Sequence, residues 1–151
     1  MIKRHNPAMF DVSLKVVVTN NRGEVLLLKA RRDSEFLFGF YDLPGGRINR
    51  EEMNQKIAVL IKRELVEEVG SKVRYKLNPK PLAVATTKFK ANPRLPNRDG
   101  KLFLLFSAKY LSGQIVISDE HDAFCWKKLN TTTNKKFLHP IFQQLLTNFY
   151  D

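Results

Sequence analysis

The sequence predicts an α/β sandwich with a mixed central sheet, formed by a single domain over residues 1–151. Segments of strand composition lie on both sides of a central helical segment, and a second helical segment follows near the end. A length of 151 residues suits one domain that buries a sizeable core. The proportions of hydrophobic residues (43%) and charged residues (27%) are ordinary for a globular protein.

The first half of the sequence combines strands, a sharp turn and a long helix. The NNRG segment predicts a turn, so the strands that flank it are expected to form a hairpin. Pro44-Gly45-Gly46 is the strongest turn signal in the chain, and Gly70 is suited to end the helix. The predicted elements are a strand at 12–19, a turn at 20–23, a strand at 24–30, a loop at 31–39 and a helix at about 51–69.

The second half adds the remaining strands and a terminal helix. A loop rich in Pro, Asn and Gly separates two of these strands. The final helix is expected to carry Pro140 in its first turn, where a missing N–H costs nothing. The predicted elements are strands at 72–77, 81–90, 101–110 and 123–129, a loop at 91–100 and a helix at 137–150.

The composition narrows the class of partner and the compartment. A net charge of +11 and a pI near 9.9 indicate either a solvated basic surface or a polyanionic partner such as nucleic acid or a nucleotide. No apolar run approaches the roughly 20 residues that span a bilayer, and the first ten residues lack the apolar region of a secretory signal. We therefore expect a cytoplasmic protein without a membrane partner, and its oligomeric state stays open.

The single cysteine, Cys125, lies between Phe124 and Trp126. With one cysteine the chain cannot form an internal disulfide. Because the neighbouring side chains are apolar, we expect a half-buried thiol in preference to a catalytic one.

The last turns of the central helix concentrate acidic residues that helix stability does not explain. On a helical wheel an apolar stripe faces the core, and three glutamates cluster beside it. Like charges at spacings of three and four residues repel, and anions near a helix C-terminus oppose the helix dipole. A divalent cation such as Mg²⁺ would compensate, whereas a solvated face neutralised by Arg63 and nearby lysines is the alternative. The stripe is Ile57, Ile61, Leu65 and Val69, and the glutamates are Glu64, Glu67 and Glu68.

Together with the upstream PGGR segment, this helix resembles the Nudix box. That motif is Gly, five residues, Glu, seven residues, and then Arg-Glu-apolar-x-Glu-Glu-x-Gly-apolar. Gly46 and Glu52 match its first part, and the RELVEEVG segment from Arg63 to Gly70 matches the second.

Two positions depart from the motif. Ten residues separate Glu52 from Arg63 where the motif has seven, and Ser71 occupies the last apolar position. The insertion leaves Glu51 and Gln55 as alternatives to Glu52, but it does not disturb the segment that would hold a metal.

The resemblance implies a metal site and a role for each matched residue. Arg63 would orient a carboxylate of the box, and Glu64 or Glu120 would be the general base, with an additional metal ligand as the alternative role of Glu120. Glu120 belongs to the SDEHDAFCW segment, which resembles the acidic loop and aromatic strand of many Nudix proteins. The implied ligands of Mg²⁺, or alternatively of Mn²⁺, are the Gly45 carbonyl and the side chains of Glu64, Glu67 and Glu68.

Basic and aromatic residues outside the box are candidates for substrate contacts. Lysines and arginines beside an acidic metal site would attract a polyphosphate. Aromatic residues could stack on a base but are more typical of a core, and the two histidines considered are more typical of the surface than of catalysis. The basic candidates are Arg47, Lys88, Lys90 and Arg94, the aromatic ones Phe38, Tyr41 and Phe89, and the histidines His121 and His139.

The resemblance implies a Mg²⁺-dependent hydrolase that cleaves the phosphoanhydride of a nucleoside diphosphate linked to another group. A nucleoside triphosphate, plain or modified, is the first substrate class, and an NDP-sugar or a dinucleoside polyphosphate is the second. One alternative is a non-catalytic Nudix-fold module that binds RNA or nucleotides. Another is an isomerase of prenyl diphosphates, to which the setting of Cys125 gives little support.

Overall fold

The computed structural model describes residues 5–34, 37, 39–88, 97–130, 132 and 136–149. Helix α1 spans Ile57–Val69 and helix α2 spans Pro140–Leu146, and short 3₁₀ turns lie at Arg50–Glu52 and Thr147–Phe149. The strands are β1 Phe10–Thr19, β2 Val25–Ala30, β3 Tyr41–Asp42, β4 Gly45–Arg47, β5 Arg74–Lys88, β6 Gly100–Ser112 and β7 His121–Lys127.

Within the described ranges the strands form one seven-stranded mixed sheet. Its main path is β3-β2-β1-β6-β5, with β4 added on β1 and β7 added on β2. β1 runs parallel to β6 from Phe10↔Gly100 to Thr19↔Lys109, and the other pairings are antiparallel. A parallel pair needs a crossover connection, and the segment that contains α1 and β5 provides it.

The predicted hairpin between the first two strands is confirmed, but it is short. β1 and β2 are antiparallel and pair at Thr19↔Val25, on either side of the NNRG turn. β2 otherwise pairs with β7, while the middle of β1, Ser13 to Lys15, pairs with β4. The turn was identified by local chemistry, but the partners of each strand depend on segments far away in sequence.

Helices α1 and α2 cover opposite faces of the sheet. Successive residues of a strand point to opposite faces, so Val16 of β1 packs toward α1 and Val17 packs toward α2. This layering confirms the predicted α/β sandwich with a mixed sheet. In the described part of the chain no helix is long and apolar enough to cross a membrane. The α1 layer is buried through Leu60, Ile61, Leu65 and Val69, and the α2 layer through Ile141, Phe142, Leu145 and Leu146.

Helix α1 begins at Ile57, later than the predicted start near Glu51. A 3₁₀ turn precedes it, in which the Glu52 carboxylate accepts the backbone N–H of Asn49 at 2.8 Å. Residues 53–56 then connect this turn to the helix. The ten residues between Glu52 and Arg63 are thus divided between this connection and the first six residues of α1.

The segments predicted as two strands, 72–77 and 81–90, join in the single long strand β5, which spans Arg74–Lys88. Residues 89 and 90 lie outside the described residues. The register of β5 on β6 shifts between Asn78 and Ala83, across the NPKP segment. Proline cannot donate a hydrogen bond to the ladder, so this interruption is tolerated on an edge strand. Among the described strands β5 is the last at its edge of the sheet.

The C-terminal elements are shifted slightly from their predicted bounds. The strand predicted at 123–129 is β7, His121–Lys127. The helix predicted from residue 137 begins as α2 at Pro140, which does occupy the first turn. His139 precedes it, and its Nδ1 accepts the N–H of Ile141 at 3.3 Å.

The Pro-Gly-Gly turn places β4 directly against β1. The N–H of Val16 donates to the Pro44 carbonyl at 2.8 Å. Gly45 has a φ of +135°, and a Cβ added there would lie 2.0 Å from the Leu14 carbonyl oxygen. Glycine is required here because any side chain would push the turn away from the strand.

Replacing Gly45 by alanine should therefore destabilise the protein more than the same change at Gly23. Gly23 also has a positive φ, +71°, but nothing lies within 4 Å of an added Cβ. We expect Gly23→Ala to lower the free energy of unfolding by roughly 1–2 kcal/mol, the cost of the backbone conformation alone. Gly45→Ala should cost at least about twice as much, measured by urea denaturation followed by circular dichroism. Equal losses in the two variants would show that the close approach to β1 is unimportant.

Candidate active site

A pocket of about 340 Å³ opens where α1, the Pro-Gly-Gly turn and the loop before β7 meet. All of the implied metal-site residues line it, together with Glu120. The pocket therefore joins two sequence segments that were predicted separately. Its lining residues are Gly45, Gly46, Arg47, Asn49, Glu64, Glu67, Glu68, Ser118, Asp119 and Glu120.

Glu68 is the carboxylate that connects α1 to the turn. Its Oε2 accepts the Gly45 N–H at 2.7 Å, and the residue is only 6% exposed. Burial raises the pKa of Glu68 to about 8, against the opposing influence of the Lys15 ammonium. A buried carboxylate of this kind gains from any cation that reaches it.

Glu64 lies one helical turn earlier and is 8% exposed. Burial raises the pKa of Glu64 as well, and the Arg63 guanidinium opposes the rise. A Cβ on Gly46 would lie 2.3 Å from the carboxylate atoms of Glu64. Because Gly46 has no side chain, the Glu64 carboxylate can occupy this space.

Arg63 lies among three carboxylates. The distances are 2.7 Å from Nε to Glu52 Oε1, 2.8 Å from Nη2 to Glu64 Oε1, and 3.0 Å from Nη1 to Glu67 Oε2. The Nε contact is an ion pair without hydrogen-bond alignment, since Nε has no hydrogen-bond partner among the described residues. Of the three positions that the insertion left open, the structure places Glu52 beside this arginine. Glu67 lies at the rim, with a side chain that is 56% exposed.

A buried ion pair next to the turn was not identified from the sequence. Lys15 Nζ lies 2.8 Å from Asp42 Oδ2 and donates to the Leu43 carbonyl at 3.1 Å. Both side chains are less than 10% exposed, at 9% and 8%. Although burial lowers the pKa of Lys15, attraction to Asp42 and Glu68 raises it overall. The available signal was a single lysine within the otherwise apolar strand segment VSLKVVVT.

His121, which was expected at the surface, is buried at the back of the site. It is 9% exposed, and its Nε2 lies 4.0 Å from Glu68 Oε1. Burial lowers the pKa of His121, opposed by Asp42. Its Nδ1 and the buried Oγ of Ser118 both lack a hydrogen-bond partner among the described residues. The prediction that His121 lies at the surface was wrong because its neighbours in sequence do not show that α1 lies beside it in the fold.

Only some of the residues predicted to contact the substrate lie at the pocket. Arg47 lines it with a side chain that is 61% exposed, and its Nη1 lies 3.9 Å from Asp11 Oδ2. Lys88 is exposed at the end of β5 and is not among the pocket residues. Lys90, Arg94, Phe38 and Phe89 lie outside the described residues.

The remaining candidates belong to the packing of the α2 layer and of β7. Tyr41 packs against the core under α2, with its ring 5.8 Å from that of Phe137. His139, expected at the surface, is half-buried at the start of α2. Burial raises the pKa of the half-buried Cys125 thiol, which opposes thiolate chemistry.

The oxygens at the pocket fit a hard divalent cation by type. The Glu64 carboxylate fills the space beside Gly46. Glu68 accepts the Gly45 N–H through Oε2, and its Oε1 takes no part in that hydrogen bond. Within the part of the chain that the structure describes, no three acidic, histidine or cysteine side chains converge closely enough to hold a metal alone. That pattern suits Mg²⁺, which keeps several waters and takes one or two carboxylates plus substrate phosphates.

A sequence profile of the NUDIX domain matches residues 9–149. This chain belongs to the Nudix family. Membership confirms the resemblance found in the sequence and the predicted enzyme class, a Nudix pyrophosphohydrolase acting on pyrophosphate bonds. Nudix hydrolases generally use divalent metal ions. No curated protein matches the chain in sequence.

Solved Nudix structures share the fold. The MutT protein from Methanosarcina mazei Go1 superposes with a TM-score of 0.70 at 22% identity, covering 96% of each chain. The E. coli dihydroneopterin triphosphate pyrophosphohydrolase gives 0.65 at 19% identity, covering 93% of this chain and 97% of that one. The NUDIX domain of Shewanella oneidensis NrtR, solved with ADP ribose, gives 0.62 at 16%, covering 100% and 94%. At these identities the likeness establishes the fold alone.

Breaking the buried pair from one side should cost the Nudix domain more than removing it altogether. Lys15→Met leaves the Asp42 carboxylate buried without its cation, for which we expect a loss of about 3–5 kcal/mol in the free energy of unfolding. Adding Asp42→Leu should restore a large part of that loss, because both charges are then gone. Urea denaturation of the single and double variants measures the difference. A double variant no more stable than Lys15→Met would contradict the pairing.

The raised pKa of Glu68 predicts that the metal-free Nudix domain loses stability as the pH rises toward and through about 8. In the unfolded chain this carboxyl titrates near 4.5, so between these values the folded state holds a proton that the unfolded state has released. Stability therefore falls over this window. Because one pKa unit corresponds to about 1.4 kcal/mol, wild type should lose at least that much relative to Glu68→Gln between pH 6 and about pH 9. Urea denaturation in EDTA provides the measurement, and parallel pH profiles would refute the assignment.

Proposed function

We propose that this Nudix enzyme is a Mg²⁺-dependent hydrolase of nucleoside diphosphates linked to another group. A nucleoside triphosphate, plain or modified, is the first substrate class. The observation that carries the proposal is the pair of buried carboxylates, Glu64 and Glu68, that α1 presents to the pocket under the Pro-Gly-Gly turn. Two acids so close together are unfavourable in isolation, and a divalent cation would supply the positive charge that they lack while also binding the phosphates of a substrate.

The metal would be held by oxygens that already face the pocket. Glu68 and Glu64 provide buried carboxylates, while Glu67 and the carbonyl of Gly45 extend the set. When bound, Mg²⁺ supplies positive charge against the diphosphate and acts as a Lewis acid. Arg63 would act as a positioning residue, since its contacts with the surrounding carboxylates keep their side chains in place.

Glu120 is our choice as the proton acceptor for the attacking water. It lines the pocket from the loop before β7 and is exposed. Within the described residues it accepts no hydrogen bond and forms no ion pair, so both oxygens are available. Glu64, the other candidate, is already bonded through Oε1 to Arg63. A base must be within reach of the water and free to take its proton.

The rim of the pocket would attract the phosphates. Arg47 lies at the pocket with its guanidinium largely exposed, and it is the nearest described cation of the predicted substrate set. Lys88 and Lys90, from the end of β5 onward, remain candidates for contacts with the more distant part of the substrate. Positive charge at the mouth of an acidic site raises the local concentration of polyphosphate while the cation bridges the like charges inside.

A substrate panel tests the proposal directly. Nucleoside triphosphates, NDP-sugars and dinucleoside polyphosphates are incubated with and without Mg²⁺, and product release is measured for wild type and Glu68→Gln. We expect Mg²⁺-dependent turnover that is highest on a nucleoside triphosphate and at least about 100-fold lower kcat in the variant.

Glu24→Gln is the matched control, because it removes one carboxylate at an exposed turn outside the pocket. Its activity should equal that of wild type. Turnover that persists in EDTA, or in Glu68→Gln, would contradict the proposed role of the metal. Turnover that is highest on an NDP-sugar or a dinucleoside polyphosphate would move the substrate to the second class.

A further inference from the structure

The positive charge of the chain is concentrated in one segment. Residues 71–112 contain ten lysines and arginines and one acidic residue, Asp99, a net charge of +9 out of +11 for the whole chain. The rest of the chain contains 16 basic and 14 acidic residues and is nearly balanced. A distribution this uneven indicates a specific basic surface in place of a generally solvated one.

The described part of this segment, residues 71–88 and 97–112, contains strands β5 and β6 at one edge of the sheet. Tyr75 and Leu77 of β5 point toward the core under α1, so Arg74 and Lys76 point to the opposite face, where both are exposed. Lys109 of β6 is exposed directly across from Lys76. We call this exposed set the basic ribbon, and it comprises Lys72, Arg74, Lys76, Lys80 and Lys109.

Among the residues that the structure describes, no acidic side chain compensates the charge of the basic ribbon. Within the described residues, none of its five side chains forms an ion pair or a hydrogen bond with an acidic group. Exposed arginines elsewhere do have partners, as in Arg22 with Glu24 and Arg31 with Asp33. Like charges directly opposite on neighbouring strands destabilise a sheet. The cross-strand lysine pair therefore opposes the sheet unless an external anion binds there.

We propose that the basic ribbon binds single-stranded nucleic acid along the edge of the sheet. Alternate residues of a strand lie about 7 Å apart, so the cations of β5 form a row that matches a linear polyanion. β6 is paired with β1 over its first ten residues, so β5 and β6 do not form a free two-stranded element that could enter a duplex groove. The surface that remains available is the outer strand with its exposed side chains, which suits an extended single strand.

This proposal goes beyond the proposed hydrolysis and needs none of the pocket residues. The chief competitor is an anionic membrane, because Leu82 and Val84 on β5 and Leu111 on β6 are 41%, 59% and 56% exposed and could enter a lipid surface. They are three aliphatic residues beside five cations, and no exposed aromatic residue of β5 or β6 accompanies them among the described positions. We therefore favour nucleic acid and treat the membrane as an outcome of the test.

The test measures fluorescence anisotropy of a labelled single-stranded RNA of about 12 nucleotides over a range of salt concentrations. All proteins carry Glu68→Gln, so hydrolysis does not interfere and failure of the proposed function leaves the measurement intact. The ribbon variant adds Arg74→Gln, Lys76→Gln and Lys109→Gln. The control variant adds Arg50→Gln, Lys56→Gln and Lys62→Gln, which remove the same charge from exposed positions near α1.

We expect the ribbon variant to bind at least about tenfold more weakly, with a salt slope lower by about 2 because three phosphate contacts are lost. The control variant should bind like the parent. Thermal unfolding should show the ribbon variant no less stable, since the change removes a like-charge pair.

Several results would overturn the proposal. Equal loss in both variants would mean that net charge alone drives binding, and unchanged binding in the ribbon variant would exclude this surface. Preference for a duplex of the same length would exclude an extended single strand. Ribbon-dependent binding to vesicles of phosphatidylserine and phosphatidylcholine, without binding to the RNA, would assign the surface to a membrane.

Discussion

The hydrogen bond from the Gly45 N–H to Glu68 joins two parts of the chain that are 23 residues apart, and the geometry of the site depends on it. On one side of this bond the turn is pressed against β1, where Gly45 leaves no room for a side chain. On the other side the carboxylate belongs to the buried face of α1, which packs on the same sheet. Turn, helix and sheet therefore fix one another, and the pocket opens along the line where they meet.

The charges around this bond are arranged in layers. Lys15 and Asp42 neutralise one another beneath the turn, and the lysine also attracts Glu68. Arg63 forms ion pairs with Glu64 and Glu67 of α1. Neither cation fully offsets the cost of burying the acids, since burial raises the pKa of both Glu64 and Glu68. The charged forms of these carboxyl groups are thus unfavourable in the Nudix domain, and a bound cation would stabilise them.

Positive and negative charges are also distributed unevenly over the molecule as a whole. Acidic side chains converge on the pocket, while the exposed cations of the basic ribbon lie at the edge of the sheet formed by β5 and β6. The net charge of +11 does not by itself show this arrangement, because the same total could be spread evenly over the surface. The strand pairing decides where the charge lies, because it brings Lys76 and Lys109, far apart in sequence, to directly opposite positions.

The sequence by itself determined the features that depend on neighbouring residues. The turn at Pro44 to Gly46, the face of α1 and the acidic register from Glu64 to Glu68 were all readable, because turn preference and helical period act over a few residues. The layer architecture followed from the order of these elements. For the position of Glu52, however, the sequence left Glu51 and Gln55 as alternatives, and the structure places Glu52 2.7 Å from Arg63.

Only the tertiary structure decided what is buried and which strands pair. The wheel placed three glutamates together, but the fold buries Glu64 and Glu68 and leaves Glu67 at the rim. Lys15 and His121 became part of the site only because β1, the turn and the loop before β7 converge there. Desolvation and ion pairing depend on every element that packs around a side chain, and those elements come from segments far apart in the sequence.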